Sequence, residues 1–162
     1  MNTEKKLNRS EAQQFFAIEF NNQTWGLLDK QDRQAQEADL MLHAAHASYI
    51  HWLSAGNEVN RQRGAWLLAR VYAELGLADR AQHYAAECEA LTSTHKDKMA
   101  DFDLFYVQEA LARSHAVGEN PQSAAPYYDA ARKALEAIAA EEDRKIAAGD
   151  LKAGNWGSFT PA

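Results

Sequence analysis

The chain has 162 residues, of which 46% are apolar and 25% charged, with a formal net charge of −6. This composition excludes a disordered chain and fits one globular domain, while the acidic balance disfavours a general nucleic-acid binder. The sequence shows no apolar run of membrane-spanning length, no secretory leader and only one cysteine, Cys88, so no membrane partner, no internal disulfide and a cytoplasmic setting are expected.

Abundant alanine with little glycine and proline favours helices, and the spacing of apolar residues predicts where they lie. Ser10 is the expected N-cap of the first helix, and Gly56 and Gly76 are expected to end the second and third. The predicted helices are, in chain order, 10–28, 35–55, 58–75, 78–91, 101–117 and 122–140.

The C-terminal part of the chain is less regular in its pattern. Residues 141–151 either continue the sixth helix or form a short seventh one, and the breaker-rich residues 152–162 predict an irregular tail. We therefore expect a single helical domain over 1–162, with ordered helices over about 10–151.

An internal similarity with an offset of 43 residues links the third and fourth helices to the fifth and sixth. Residues 67–76 align with 110–119, and the same register pairs Ala81 with Ala124. Small residues at matching positions let two helices pack closely, as in a hairpin. The repeat therefore predicts two successive helical hairpins that share one packing pattern.

The first unit of the repeat, residues 65–91, has large, small, aromatic, glycine, alanine and small residues in this order: Leu68, Ala69, Tyr72, Gly76, Ala81 and Cys88. In this pattern the segment resembles the tetratricopeptide-repeat family. The second unit departs from the family's pattern, because His115 takes the aromatic position, Gly118 comes one residue early, and the offset of 43 exceeds the family's repeat of about 34 residues.

The resemblance implies an all-α fold, an antiparallel array of helical hairpins in a right-handed stack of six or seven helices. The flanking helices would act as caps of the array. Three sequence features together are also similar to uncharacterised bacterial proteins, a likeness that implies no activity. These features are His-Ala-Ala-His in the second helix, Ala-Trp-Leu-Leu-Ala-Arg-Val-Tyr in the third, and Asp-Phe-Asp-Leu in the fifth.

The same resemblance implies a concave groove, lined by the first helix of each hairpin, that binds a protein or peptide segment. Two arginines at matching positions would hold a carboxylate through their planar guanidinium groups, which favours a partner with acidic character. The alternative is that each arginine pairs with a carboxylate four residues away on the helix surface. The groove positions are Trp66, Arg70, Glu74, Tyr106, Glu109 and Arg113.

A second candidate site is a stripe on the second helix. Asp39, His43 and His46 are spaced by four and three residues, which places them on one face. Carboxylate and imidazole groups bind Zn, Fe or Ni, so the stripe predicts, as an alternative, a metal-binding protein or metal-dependent enzyme. The competing interpretation is that the histidines are structural, since one helix rarely closes a metal site alone.

The leading expectation is a cytoplasmic, non-enzymatic binding or scaffold module without a cofactor. A third alternative is a homodimer formed through exposed aromatic residues of the first helix or through Trp156 and Phe159 of the tail. The sequence leaves open whether the groove is open or filled by the first helix or by the tail. Cys88 is expected to be a buried small side chain.

Overall fold

The computed structural model describes residues 6–161, and this part of the chain is helical without a β-strand. The prediction of an all-α array of helical hairpins is confirmed, since each helix packs against the next one in the chain. A 3₁₀ turn at Lys96–Lys98 lies between the fourth and fifth helices. The seven helices are α1 (Arg9–Leu28), α2 (Ala35–Ala55), α3 (Glu58–Glu74), α4 (Ala78–Thr94), α5 (Asp101–Val117), α6 (Pro121–Glu136) and α7 (Glu141–Lys152).

The first two helices form a third hairpin that the sequence analysis did not identify. The second helices of the three hairpins begin at Ala35, Ala78 and Pro121, so successive hairpins keep the spacing of 43 residues. The array therefore has three hairpins, followed by α7. Buried small residues mark the same register in α2, α4 and α6: Ala45, Cys88 and Ala131.

The predicted N-cap of α1 is wrong. Asn8, not Ser10, caps the helix: the Asn8 side chain accepts a hydrogen bond from the Glu11 amide at 3.0 Å. The Glu11 carboxylate in turn accepts from the Asn8 amide at 2.9 Å, which completes a capping box. Ser10 lies two residues too far along the chain, because the reciprocal pair places the N-cap three residues before Glu11.

Two other helix ends differ from the prediction. Helix α4 continues to Thr94, and the hydroxyl of Thr92 donates to the Cys88 carbonyl at 2.7 Å inside the extended turn. Helix α6 ends at Glu136, and the chain then turns so that Ile138 is buried at 1% exposure before α7 begins as a separate helix. The apolar pattern predicted that the sixth helix continues to residue 140. The chain turns before that point, and the turn buries Ile138.

Helix α3 is the central element, because residues 64–71 are buried throughout. Its apolar side chains, such as Leu68, pack with those of α2, α4 and α5, such as Met41 of α2 and Val107 of α5. A second, smaller cluster around Phe105 and Leu151 holds α7 against the third hairpin. The second cluster therefore places α7 beside α5 and α6.

Gly64 allows α2 and α3 to approach each other closely. A Cβ atom at Gly64 would lie 2.5 Å from Cδ2 of Tyr49, which is far inside van der Waals contact. We expect Gly64→Ala to lower the free energy of unfolding by about 1–3 kcal/mol through overpacking, despite alanine's better helix propensity. Urea denaturation followed by circular dichroism measures this change.

The matched control is Gly26→Ala in α1. A Cβ atom there has no neighbour within 4 Å, so the substitution is expected to stabilise the helix by up to about 1 kcal/mol. If Gly64→Ala stabilised the protein as Gly26→Ala does, the close approach of α2 and α3 would be refuted.

Candidate functional site

Three aromatic side chains stack across one surface of the array. The ring of Trp25 in α1 lies 5.6 Å from that of Trp66 in α3, and Trp66 lies 4.5 Å from Tyr106 in α5. These are the first helices of the three hairpins, and α3 and α5 also contact each other directly. We call the surface formed by α1, α3 and α5 around these three rings the A face.

Three of the six predicted groove residues donate hydrogen bonds to the buried carboxylate of a fourth, Glu109, on the A face. Glu109 is fully buried and accepts hydrogen bonds from Trp66 Nε1 at 2.9 Å, from Arg70 Nη1 at 3.0 Å and from Arg113 Nε. Arg113 is only 1% exposed and Arg70 only 6%. The arginines are therefore internal groups of the fold.

The alternative expected each arginine to pair within its own helix on the protein surface. It is correct for the partner of Arg113 and wrong for the partner of Arg70, and both arginines are buried. The Glu109–Arg113 pair forms as that alternative expected, but Arg70 also pairs with Glu109 rather than with Glu74. Glu74 instead lies 3.5 Å from Arg33, which comes from the loop between α1 and α2. The Arg70–Glu109 and Arg33–Glu74 pairs each link two hairpins, whereas Glu109–Arg113 lies within α5. Enclosed charges require such partners.

Residues 150–161, which we call the C-terminal segment, lie against these arginines. Arg113 donates from Nη2 to the Asp150 carbonyl at 2.9 Å, and from Nη1 to the carbonyls of Ala153 at 2.9 Å and Asn155 at 3.1 Å. Arg70 donates to the carbonyls of Asp150 and Ala153, both at 3.2 Å. The two guanidinium groups thus bind main-chain oxygens at the end of α7 and just beyond it.

Further contacts attach the C-terminal segment. The main-chain N–H of Asn155 donates to Glu74 Oε2 at 2.9 Å, and the Tyr106 hydroxyl donates to the Asp150 side chain at 2.7 Å. The ring of Trp156 packs 4.0 Å from the Arg113 guanidinium carbon. The tail therefore covers the predicted groove residues. This is one of the three arrangements that the sequence left open, the others being an open groove and a groove filled by the first helix.

The charges of this cluster are set by burial and by pairing. Burial raises the pKa of Glu109, but the positive charges of Arg113 and Arg70 and the hydrogen bonds from Trp66 and Arg113 together lower it by more, so the net pKa is below its ordinary value. Burial lowers the pKa of Arg113 to about 10, which leaves the guanidinium protonated at neutral pH. Burial raises the pKa of Asp150. The cluster can hold acceptor groups such as carbonyls or carboxylates.

The predicted metal stripe is not gathered into a site. Asp39 and His43 are exposed, while His46 is half-buried with Nε2 at 2.8 Å from the Tyr72 hydroxyl, and burial lowers its pKa. Within residues 6–161, no group of three His, Cys, Asp or Glu side chains is placed to hold a metal ion. Cys88 is fully buried, as expected, and burial raises the pKa of its thiol.

The sequence analysis missed the residues that close the site from outside the second and third hairpins. Trp25 precedes Trp66 by 41 residues, whereas the repeat offset of 43 pairs it with Leu68, so the repeat did not mark it. Arg33 and Asp150 had no signal either, because neither belongs to the repeat pattern. The tail aromatics Trp156 and Phe159 pack on Tyr128 of the same chain. Phe15 of α1 is 47% exposed. The homodimer through exposed aromatic residues stays a prediction.

Over the described residues, none of the helices combines the length and the apolar character that crossing a membrane requires. Comparison with known proteins finds no matching family model, no matching curated protein and no matching solved structure. The A face and its occupant are therefore the basis for any assignment of function.

Proposed function

We propose that the chain is a non-enzymatic helical-repeat module that binds a protein or peptide segment on the A face, in competition with its own C-terminal segment. One observation carries the proposal: Arg70 and Arg113 together donate five hydrogen bonds to main-chain carbonyls of residues 150, 153 and 155. The proposal includes a tetratricopeptide-like right-handed stack and a bacterial, cytoplasmic setting, supported by the pattern of residues 65–91 and the single cysteine.

Recognition of main-chain carbonyls suits a binding groove because another segment can supply the same groups. The last carbonyls of any helix lack partners within the helix and carry partial negative charge. A partner that ends a helix at Arg70 and Arg113 would therefore reproduce the contacts of the C-terminal segment. A carboxylate of the partner would meet the same N–H groups with stronger, charge-assisted hydrogen bonds, which keeps the expectation of acidic character.

The residues after α7 are suited to exchange because few apolar groups anchor them. Ala147 and Leu151 hold α7 itself in the second core cluster. Beyond α7 the attachment consists mainly of polar contacts and the half-buried rings of Trp156 and Phe159, while residues 157, 158, 160 and 161 are exposed. If the residues beyond α7 were displaced, the apolar core of the three hairpins would stay buried.

A labelled peptide with the sequence of residues 150–161 tests the proposal by fluorescence anisotropy. We expect it to bind the full-length Trp156→Ala variant more tightly than the wild type, because the variant loses its own ring from the Arg113 surface. The same peptide with alanine in place of its tryptophan should bind about tenfold or more weakly, since stacking on a buried cation contributes about 2 kcal/mol.

Phe15→Ala is the control, because it removes an exposed aromatic ring of α1 outside the groove. The proposal fails if the peptide binds Phe15→Ala and Trp156→Ala equally, or if it binds neither the wild type nor Trp156→Ala while circular dichroism shows both to be folded.

A further inference from the structure

A polar cavity lies beside the arginine cluster. It has a volume of about 380 Å³ and is enclosed by the end of α1 with its following loop, by α3, and by residues 150 and 153–155 of the C-terminal segment. This volume falls in the range of cavities that hold small molecules. The ring of Trp25 forms part of its wall.

Both signs of charge face this small space. The lining residues include three cations, Lys30, Arg33 and Arg70, and three anions, Asp29, Glu74 and Asp150. The ammonium group of Lys30 is already paired with Glu37 at 2.6 Å, so the two arginines are the cations available to a ligand. A ligand with only negative charge would meet the carboxylates, and one with only positive charge would meet the guanidinium groups. The lining therefore favours a ligand that carries both charges.

Arg70 and Arg33 each have one guanidinium nitrogen that is unpaired or weakly paired within the described part of the chain. Arg33 Nε and Nη2 donate to the carbonyls of Leu27 and Leu28. Arg70 is 6% exposed, yet its Nε has no hydrogen-bond partner among the described residues. The 3.5 Å contact of Arg33 Nη1 with Glu74 Oε1 is long for an ion pair, since charge-assisted hydrogen bonds are usually about 2.7–2.9 Å. Buried polar groups without partners are uncommon and indicate a missing acceptor, water or ligand.

We propose that this cavity binds a small zwitterion of amino-acid size. Its carboxylate is held by the guanidinium groups of Arg33 and Arg70, and its ammonium group by the carboxylates of Glu74 and Asp150. The ring of Trp25 packs against the body of the ligand. The site shares Arg70 with the groove, but Arg113 and Trp156 do not line it. Binding of the zwitterion to the wild type can therefore be measured without the peptide, and its failure is distinguishable from failure of peptide binding.

The C-terminal segment couples the cavity to the groove. Residues 153–155 form one wall, so the zwitterion binds the form of the protein in which the segment is docked. A ligand that binds one form stabilises that form, and the effect is reciprocal between two sites. The zwitterion is therefore expected to raise the melting temperature and to weaken binding of the peptide of residues 150–161.

The probes are the free L-amino acids, added singly at millimolar concentration to the full-length protein. Differential scanning fluorimetry identifies the amino acid that raises the melting temperature, and isothermal titration calorimetry gives its affinity. Its amide, which lacks the carboxylate, and its N-acetyl derivative, which lacks the ammonium group, are each expected to bind about tenfold or more weakly.

Asp150→Asn tests the ammonium site, because an amide oxygen can still accept the Tyr106 hydroxyl while the charge is lost. We expect it to weaken binding about tenfold or more, and Asp129→Asn, at an exposed position of α6, to leave the affinity unchanged. The proposal is overturned if no amino acid changes the melting temperature, or if the two derivatives bind as tightly as the zwitterion. If Asp150→Asn does not fold, binding of the amide and the N-acetyl derivative to the wild type tests the proposal.

Discussion

Glu109→Ala is expected to lower the free energy of unfolding by about 3–5 kcal/mol, because it leaves two buried guanidinium groups without their carboxylate. Arg70 and Arg113 are enclosed, and Trp66 also loses the acceptor of its indole N–H. Glu109→Gln keeps the shape and an acceptor oxygen but not the charge, so a smaller loss is expected. Urea denaturation at pH 7 measures both variants.

The contribution of Glu109 also has a predicted pH dependence. Its pKa in the folded protein lies below the value of about 4.3 expected in the unfolded chain. Such a group stabilises the fold fully above the unfolded pKa, and the stabilisation is lost as the pH falls through the folded pKa. The difference in stability between the wild type and Glu109→Gln should therefore be constant from pH 7 to 5 and shrink below about pH 4.

Glu136→Ala is the control for these measurements, because Glu136 is an exposed residue at the end of α6. Its effect is expected to stay within about 0.5 kcal/mol at any of these pH values. An equally small effect of Glu109→Ala, or a difference that does not change with pH, would mean that the buried ion pairs do not stabilise the A face.

Gly154→Ala is expected to detach the C-terminal segment and to lower the free energy of unfolding by about 2 kcal/mol or more. Gly154 has φ of +79°, a conformation that an alanine adopts only with strain. A Cβ atom there would lie 2.5 Å from Arg70 Nη2, 2.9 Å from Glu74 Oε2 and 3.1 Å from Arg113 Nη1. Hydrogen exchange should show loss of protection at the Asn155 amide, while the amides of α3 remain protected.

Gly149→Ala is the matched control, since it makes the same change five residues earlier. Gly149 lies inside α7, and a Cβ atom there has no neighbour within 4 Å, so alanine is expected to stabilise by about 0.5–1 kcal/mol. The predicted fit of the segment would be refuted if both substitutions stabilised the protein, or if Gly154→Ala left the protection of Asn155 unchanged.

The helices could be predicted largely from local patterns. The bounds of α2 and α5 agree with the prediction at both ends, because apolar periodicity stops at clear signals such as Gly56 and Gly118. The start of α1 was missed although the signal was present, since Asn8 and Glu11 have the spacing of a capping box. Helix ends that depend on distant packing, such as the turn that buries Ile138, have no local signal.

The candidate site was predictable only in part, for a physical reason. The offset of 43 residues places Arg70 and Arg113 at equivalent positions of α3 and α5, so their convergence followed from the repeat. Their partners in the C-terminal segment are mainly main-chain carbonyls, which every residue possesses and no sequence pattern marks. The sequence could therefore identify the donors but not the segment that supplies the acceptors.

The contacts of Arg70 with the C-terminal segment join residues up to 83 positions apart, whereas each hairpin is built from neighbouring parts of the chain. Local contacts form quickly during folding, and long-range contacts form later because a large loop must be closed first. During synthesis on the ribosome the three hairpins also emerge before residues 150–161. Each newly made chain therefore passes through an interval in which Arg70 and Arg113 have no segment to bind, and a partner present at the ribosome would meet them during that interval.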